Sequence, residues 1–469
     1  MKELRRNVRI ICLILLVLFA AMIAYFCYSV YFYGGRWFAN PYNSRITNQK
    51  QTVLAGTLYD AQGNVLAYSD SDGIRHYSSD RSMRLATSHV VGDNGSKVAS
   101  GAETFFAQYL LGFNSSALDR MMSAITGERA RGDDVHLTIS AELSAYIAEQ
   151  FPSGYAGAVA MINYQTGDTL ALVSLPNFDP LNVSAAFEDE SAGALVNRAT
   201  QGLYTPGSTF KIVTLASALE NLPGAAGRVF NCTGTLPVDR TTVTEAGGNA
   251  HGRQTLVQAF SNSCNNAFAS LALELGYAQM GETAKNFRMN DNFLFRDMVV
   301  YNSSYPTDNG NDDDLAWSGV GQGRVLVTPL HLALIAGSVA NDGVMMEPRL
   351  LSSVISPSGM SRPLAGARAY ARTMQSETAQ AIKSYMISTV ASGTARRASV
   401  SGVTVGGKTG SAEVSDDKSV ETHALFVGFI EDAEYPYAIC VVVEHGGSGG
   451  AVAAPLASKI FRRAIALGL

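Results

Sequence analysis

Tyr204-Thr205-Pro206-Gly207-Ser208-Thr209-Phe210-Lys211 is the stretch from which the chain is best read. Pro206-Gly207 fits a loop entering a helix, and the pattern predicts helix from Ser208 to Glu220, ended by Pro223-Gly224. A serine hydroxyl is a weak nucleophile and needs a nearby base. Lys211 lies one helical turn from Ser208, on the same face. A lysine serves as base only if burial or a neighbouring cation depresses its pKa. At the start of a helix, free backbone N–H groups can also stabilise a developing oxyanion.

Two further motifs follow in order. Ser263-Cys264-Asn265 is the only Ser-x-Asn in the sequence. Serine can relay a proton, and asparagine can both donate to and accept from a substrate amide. Lys408-Thr409-Gly410, followed by Ser411, comes after Gly406-Gly407 and a strand. Glycines along a strand often mark close approach of another backbone. A peptide lying along such an edge would be held by main-chain hydrogen bonds. Lys408, Thr409 and Ser411 would then hold a terminal carboxylate. Each motif alone also fits a bland reading, namely a solvated turn, a helix cap or a strand-end glycine turn. A second Ser-x-x-Lys, Ser415-Asp416-Asp417-Lys418, sits in a polar acidic stretch and reads as a solvated loop. Three motifs in this order are the signature of serine acyl transfer with a Ser-x-x-Lys nucleophile.

The chain has 469 residues, 47% hydrophobic and 16% charged, enough for two or three domains. Its net charge of −5, with no basic cluster beyond the first ten residues, argues against a nucleic-acid partner. The five cysteines, Cys12, Cys27, Cys232, Cys264 and Cys440, include no Cys-x-x-Cys. The reading is small core residues and no metal site or cofactor, with a Cys232–Cys440 bridge as the alternative. The scattered histidines show no metal-ligand spacing, so a zinc hydrolase is poorly supported. Gly446-Gly447-Ser448-Gly449-Gly450 matches the Gly-x-Ser-x-Gly elbow, but no Asp, Glu or His follows Ser448, which leaves that triad without members. The expectation there is a flexible glycine loop beside the cleft.

Residues 1–9 read as a cytoplasmic tail and 10–33 as a membrane anchor. Ile10 to Tyr33 is uncharged and long enough to cross a bilayer. Lys2, Arg5, Arg6 and Arg9 precede it, and Tyr28, Tyr31, Phe32 and Tyr33 form an aromatic belt at its end, which favours an anchor over a cleaved signal.

Residues 34–152 form a first region. Gly56–Asp60 and Val65–Ala67 read as a hairpin, Val135–Ile139 as a strand, and Ala141–Gln150 as a helix capped by Ser140. Residues 153–469 form a second. Its expected strands are Ala158–Ile162, Thr169–Val173, Gly402–Val405, Ala424–Ile430 and Ala438–Glu444. Its expected helices include Val257–Leu275, Pro329–Asn341 and Pro455–Leu467, and Asp312-Asp313-Asp314 reads as a solvated loop. The class is α+β, an antiparallel sheet covered by helices on both faces.

On these motifs the chain resembles the class B penicillin-binding proteins, and most the small penicillin-binding protein A-like members. Gly321-Gln322-Gly323 with Val327-Thr328-Pro329-Leu330, Glu444, Ala454-Pro455, and Arg45 with Gly56–Asp60 and Asn64–Ala67 extend the likeness over nearly the whole chain. The resemblance implies a transpeptidase fold on a small N-terminal pedestal, and a peptidoglycan D,D-transpeptidase activity. It implies that Ser208 attacks the penultimate D-alanine carbonyl of a stem peptide and Lys211 takes the proton. Ser263 would protonate the leaving D-alanine, and Asn265 would hold the donor. Lys408, Thr409, Gly410 and Ser411 would bind the donor's end, with an oxyanion hole from the N–H groups of Ser208 and Ser411. Implied partners are stem peptides on lipid-linked or polymerised strands, β-lactams, the membrane, and a SEDS-family glycan polymerase. Ser411 replaces a commoner threonine, and Leu425 stands where many relatives have tryptophan. A D,D-carboxypeptidase, a β-lactamase and a non-catalytic penicillin sensor or scaffold are the competing readings.

Overall fold

The computed structural model describes the chain except for residues 1, 39–42, 96, 116–118, 120, 122–124, 126–128, 189–192, 309, 416 and 418, and except for the side chains of residues 2 and 31–38. The first helix spans Lys2–Phe38. Within it Glu3–Val30 is long and apolar enough to cross a membrane, with none of its most apolar window buried against the rest of the protein. Three of the four belt residues, Tyr31, Phe32 and Tyr33, lie outside the described side chains.

The base is a five-stranded sheet. Its expected hairpin, Leu58–Tyr59 with Val65–Ser69, is followed by Arg75–Tyr77 on one side and Asp134–Leu137 on the other. Asp60 fixes the turn. One carboxylate oxygen accepts the N–H groups of Gln62 and Asn64, and the other accepts the first N–H of the Ala141–Gln150 helix at 3.0 Å. The fifth strand, Leu351–Ile355, comes from deep within the second region and pairs antiparallel with Asp134–Leu137. No local pattern announced this crossing, because pairing over such a sequence distance is decided by packing. One core joins the two regions: Leu58, Leu66, Val135 and Leu137 belong to the same buried cluster as Ile212, Leu332 and Val427.

The central sheet is antiparallel in the order Thr404–Ala412, His423–Glu431, Tyr437–Val443, Gly157–Asn163, Thr169–Leu175. Alternate residues of each strand face opposite sides. Ala160, Ile162, Val427 and Val442 face the core that includes the Pro329–Ala340 helix. Val159, Met161, Phe426 and Val441 face the core that includes the Ala141–Gln150 and Ala453–Leu467 helices. Helices therefore cover both faces, as the sequence suggested.

Four local expectations need correction. Val257–Leu275 is not one helix: Leu256–Ser261 stops and a second begins at Asn265, and Gly276 at φ 73° interrupts that one just past the expected end at Leu275 before helix resumes to Asn286. Ser263 sits between them at φ 61°, a left-handed conformation that no α-helix accommodates. The strand expected to end at Val405 runs through to Ala412, so Lys408-Thr409-Gly410 is mid-strand. Gly406 and Gly407 are covered first by aromatic rings: a Cβ on Gly406 would lie 2.4 Å from Phe429 and one on Gly407 2.5 Å from Phe426, with the Val427 carbonyl next at 3.3 Å. Asp312–Asp314 form the first turn of a helix capped by Asn311, where negative charge suits the helix dipole.

Candidate active site

Ser208 lies in a 3₁₀ turn, Gly207–Phe210, that runs into the Lys211–Asn221 helix. Two glycines shape its approach. Gly207 has φ 53° and donates to the Gly321 carbonyl at 2.9 Å. Gly321 has φ 79°, and a Cβ there would come within 2.1 Å of the Gly207 oxygen. The Gly321-Gln322-Gly323 stretch thus braces the serine turn by direct backbone contact. On the other side the turn meets the edge strand: a Cβ on Gly410 would lie 2.9 Å from the Pro206 carbonyl.

Lys211 is fully buried, and its ammonium donates to the Ser263 carbonyl at 2.6 Å, the Asn265 side-chain oxygen at 2.8 Å and the Ser263 hydroxyl at 3.3 Å. Lys408, equally buried, donates to the same hydroxyl at 2.8 Å and to the Thr409 carbonyl at 3.2 Å. The break between the two helices is what turns Ser263 toward both amines. Phe268 lies under Lys211 and Phe260 under Lys408, with 5.6 and 5.7 Å from nitrogen to ring centre, which offsets part of the desolvation.

Burial pushes the Lys211 ammonium down to about 8, against the opposing fields of Glu245 and Cys264. Burial, and then the charge on Lys211, push Lys408 well below the usual lysine range. Of the two causes that the sequence allows for a depressed Lys211, burial is the one that acts, and the charge effect between the two amines falls on Lys408. Both amines share one hydroxyl, however, so a charge on either disfavours a charge on the other.

The remaining motif residues surround one cleft of about 770 Å³, lined by Ser208, Ser263, Asn265, Thr409 and Ser411. The Asn265 amide donates to the Thr244 carbonyl at 2.7 Å, which fixes the oxygen that faces Lys211. The Thr409 and Thr394 hydroxyls are 2.7 Å apart, and the Ser411 hydroxyl accepts the Gly449 N–H at 3.2 Å. The glycine loop therefore does lie beside the cleft, with Ser448 exposed on its rim. Ser415 is exposed, and Asp416 and Lys418 of its motif lie outside the described residues. A separate cavity of about 240 Å³ near Phe105, Tyr109, Arg296 and Asp297 contains none of the motif residues.

Sequence reasoning missed Thr394 and Glu245, which also line the cleft, and it quoted Gln322 for the family resemblance without placing it there. Glu245 is the most connected of them. One carboxylate oxygen accepts the Asn266 N–H and the Cys232 and Cys264 thiols, and the other accepts the Asn265 N–H. Burial opposes its ionisation, but these donors hold the carboxyl below its usual range. Nothing local in Thr244-Glu245-Ala246 signals this, because every partner but Cys232 comes from the motif loop. The three described extramembrane cysteines, Cys232, Cys264 and Cys440, are buried free thiols, so the alternative Cys232–Cys440 bridge is absent.

Residues 157–462 match the penicillin-binding protein transpeptidase domain. The peptidoglycan D,D-transpeptidase PbpA of Mycolicibacterium smegmatis is 28% identical, over 92% of this chain and 93% of the relative. Among solved structures, the D,D-transpeptidase domain of a peptidoglycan glycosyltransferase from Eggerthella lenta superposes with a TM-score of 0.78 at 28% identity, covering 89% of this chain and 99% of that one. Penicillin-binding protein A from M. tuberculosis, solved as a ceftriaxone acyl-enzyme complex, gives a TM-score of 0.81 at 26% identity, covering 89% and 99%. With the three motifs gathered in one cleft, the chain belongs to the penicillin-binding protein transpeptidase family.

Proposed function

We propose that this chain is a membrane-anchored peptidoglycan D,D-transpeptidase that works through a Ser208 acyl-enzyme. The observation that carries the reading is the convergence of two buried lysines on the Ser263 hydroxyl, in the cleft that also holds Ser208. Neutral Lys211 accepts the Ser208 proton as Oγ attacks the penultimate D-alanine carbonyl of a stem peptide. The negative oxygen faces the N–H groups of Ser208 and Ser411. Ser263, held between the two amines, gives its proton to the departing D-alanine and recovers one from Lys211. Asn265 holds the donor amide, and Thr409 and Ser411, which line the cleft with Lys408 buried behind them, receive its terminal carboxylate along a strand that is an edge of the central sheet. An amine of a neighbouring stem then takes the acyl group and restores Ser208. β-Lactams acylate the same serine.

Lys2, Arg5, Arg6 and Arg9, at the N-terminal end of the apolar helix, support a cytoplasmic N-terminus and an extracytoplasmic catalytic region. A SEDS-family polymerase would supply the glycan strands. The test is labelling of the full-length protein with a fluorescent penicillin: wild type labels, and Ser208→Ala does not. Label on Ser208→Ala rejects the nucleophile. A thioester donor offered with a D-amino acid acceptor then separates the activities, since hydrolysed donor alone would indicate a carboxypeptidase.

A further inference from the structure

A terminal carboxylate brings a full negative charge into the cleft, and hydroxyl groups alone offset little of the cost of desolvating it. Lys408 is badly placed to supply the opposite charge. It is fully buried, it does not line the cleft, and its ammonium is committed to the Ser263 hydroxyl and the Thr409 carbonyl. Burial and the neighbouring Lys211 also press it toward the uncharged form. Two carboxylates, Glu245 and Glu413, line the same cleft and disfavour an anion beside them. Among the described residues that line it, the one permanently charged cation is Arg397.

The local fold explains why Arg397 faces this way. Gly393-Thr394-Ala395-Arg396-Arg397-Ala398 leaves the Ser376–Ser392 helix and closes as a 3₁₀ turn over Arg396–Ala398. Side chains three positions apart eclipse in such a turn, which gives it three faces. Ala395 and Ala398 are buried in the core that includes Val405 and Phe426. Arg396 and Ser399 line a separate groove with Val400 and Val403. Thr394 and Arg397 remain, and both line the cleft. Thr394 is pinned there: its N–H donates to the Ser261 carbonyl at 3.1 Å, and its hydroxyl lies 2.7 Å from that of Thr409. The glycine loop closes over the same turn, since a Cβ on Gly450 would lie 2.7 Å from the Thr394 carbonyl. Arg397 is exposed on this wall, and nothing among the described residues forms a hydrogen bond or an ion pair with its guanidinium.

We infer that Arg397, with the hydroxyls of Thr409 and Ser411, binds the terminal carboxylate of the donor and so restricts the enzyme to peptides and β-lactams that carry a free acid group at that point. The inference rests on the Ser208 reading proposed above and adds to it the residue that recognises the donor's charge.

The chemistry suits the task. A guanidinium is planar, always charged, and offers two parallel N–H groups to the two oxygens of a carboxylate. Thr409 and Ser411 are two apart on one strand, so their side chains point to the same side about 7 Å apart along it. Tasks are thereby divided. The two lysines, buried with neutral partners, are free to exchange protons, and the exposed arginine keeps its charge at every working pH. The adjacent Arg396, identical in type but on another face, has no part in this and serves as the internal control.

The test uses full-length protein in detergent and reads acylation rates by intact-protein mass spectrometry. The probes are benzylpenicillin and its methyl ester, which lacks the charge. Arg397→Gln should react with benzylpenicillin about 10–100-fold more slowly than wild type, and with the ester within about twofold of wild type. Arg397→Lys should fall between, because an ammonium keeps the charge and loses the fork. Arg396→Gln should match wild type with both probes. A thioester donor ending in a carboxylate, set against its primary amide, should show the same split in kcat/KM. All three variants should share the wild-type melting temperature, since both arginines are exposed. A preference for acid over ester that survives intact in Arg397→Gln overturns the inference. So does an equal loss with both probes, which marks a disturbed cleft, or a loss in Arg396→Gln as large as that in Arg397→Gln. Failure of the Ser208 reading looks different: Ser208→Ala would still be acylated, whatever stands at 397.

Discussion

Away from the cleft, cations that reach the interior meet buried carboxylates, whereas the two buried lysines at the cleft do not. Arg75 meets Glu103 at 2.7 Å, Arg362 meets Asp133 at 2.5 Å, and Arg296 and Arg368 converge on Glu347 at 3.0 and 2.9 Å. Lys211 and Lys408 are buried more completely, yet among the described residues neither forms an ion pair. Their partners are a hydroxyl, two carbonyls and an amide oxygen. A charge paired in the interior is held in its ionised form. A cation buried with neutral partners is pushed toward its uncharged form, and only that form can accept a proton. The contrast separates residues that hold the fold together from the residues proposed to perform the chemistry.

Removing one member of each set should give opposite outcomes. Lys211→Met should slow penicillin acylation by roughly 10²–10⁴-fold, measured by stopped-flow or gel labelling, with a melting temperature equal to or above wild type. A large loss of stability in this variant would break the comparison. Arg75→Met should leave Glu103 buried and uncompensated, costing about 3–5 kcal/mol in denaturant unfolding, while folded molecules acylate normally. Gly321→Ala should both destabilise and slow acylation, because its Cβ meets the Gly207 oxygen at 2.1 Å, with overpacking of about 1–3 kcal/mol.

The pH profile sharpens the same point. Lys211 must be neutral to act as base, and burial holds its pKa at about 8. Acylation should therefore rise about tenfold per pH unit below 8 and level off above it. The folded value lies below the unfolded one, so charging Lys211 opposes folding below about pH 8. That opposition should fade as pH rises from 8 toward the unfolded value of 10.5. A rate that is flat from pH 6 to 9 would show that Lys211 is already neutral or is not the base. The smallest expected effect belongs to Ser448→Ala, which should label within about twofold of wild type because that exposed serine has no triad partners.

Much of this was readable from local pattern. The Ser140 cap, the Leu58–Ser69 hairpin and the strands around the turn at Gln165–Asp168 are set by residues close in sequence, and they formed where expected. The three motifs were legible because their order and residue types are unusual together. What stayed hidden depends on partners far along the chain. The helix break at Ser263 is met by Lys211 and Lys408, more than fifty positions away on either side. Gly406 and Gly407 read as a strand end because the phenylalanine rings that cover them belong to the next strand. The cysteines looked unrelated because strand pairing and the motif loop, and not sequence spacing, bring Cys232 to Cys264.

The strand Leu351–Ile355 has a consequence for how the protein is made. The base sheet needs it as the edge partner of Asp134–Leu137, yet more than two hundred residues separate the two. During synthesis the N-terminal region emerges first but cannot close its own sheet until the distal segment has followed. The Asp134–Leu137 edge stays open for that interval, ready to pair with whatever strand is nearby. Chaperones or proteases would meet this protein as a half-finished sheet behind its apolar N-terminal helix, and its yield in the cell should depend on how quickly residue 355 arrives.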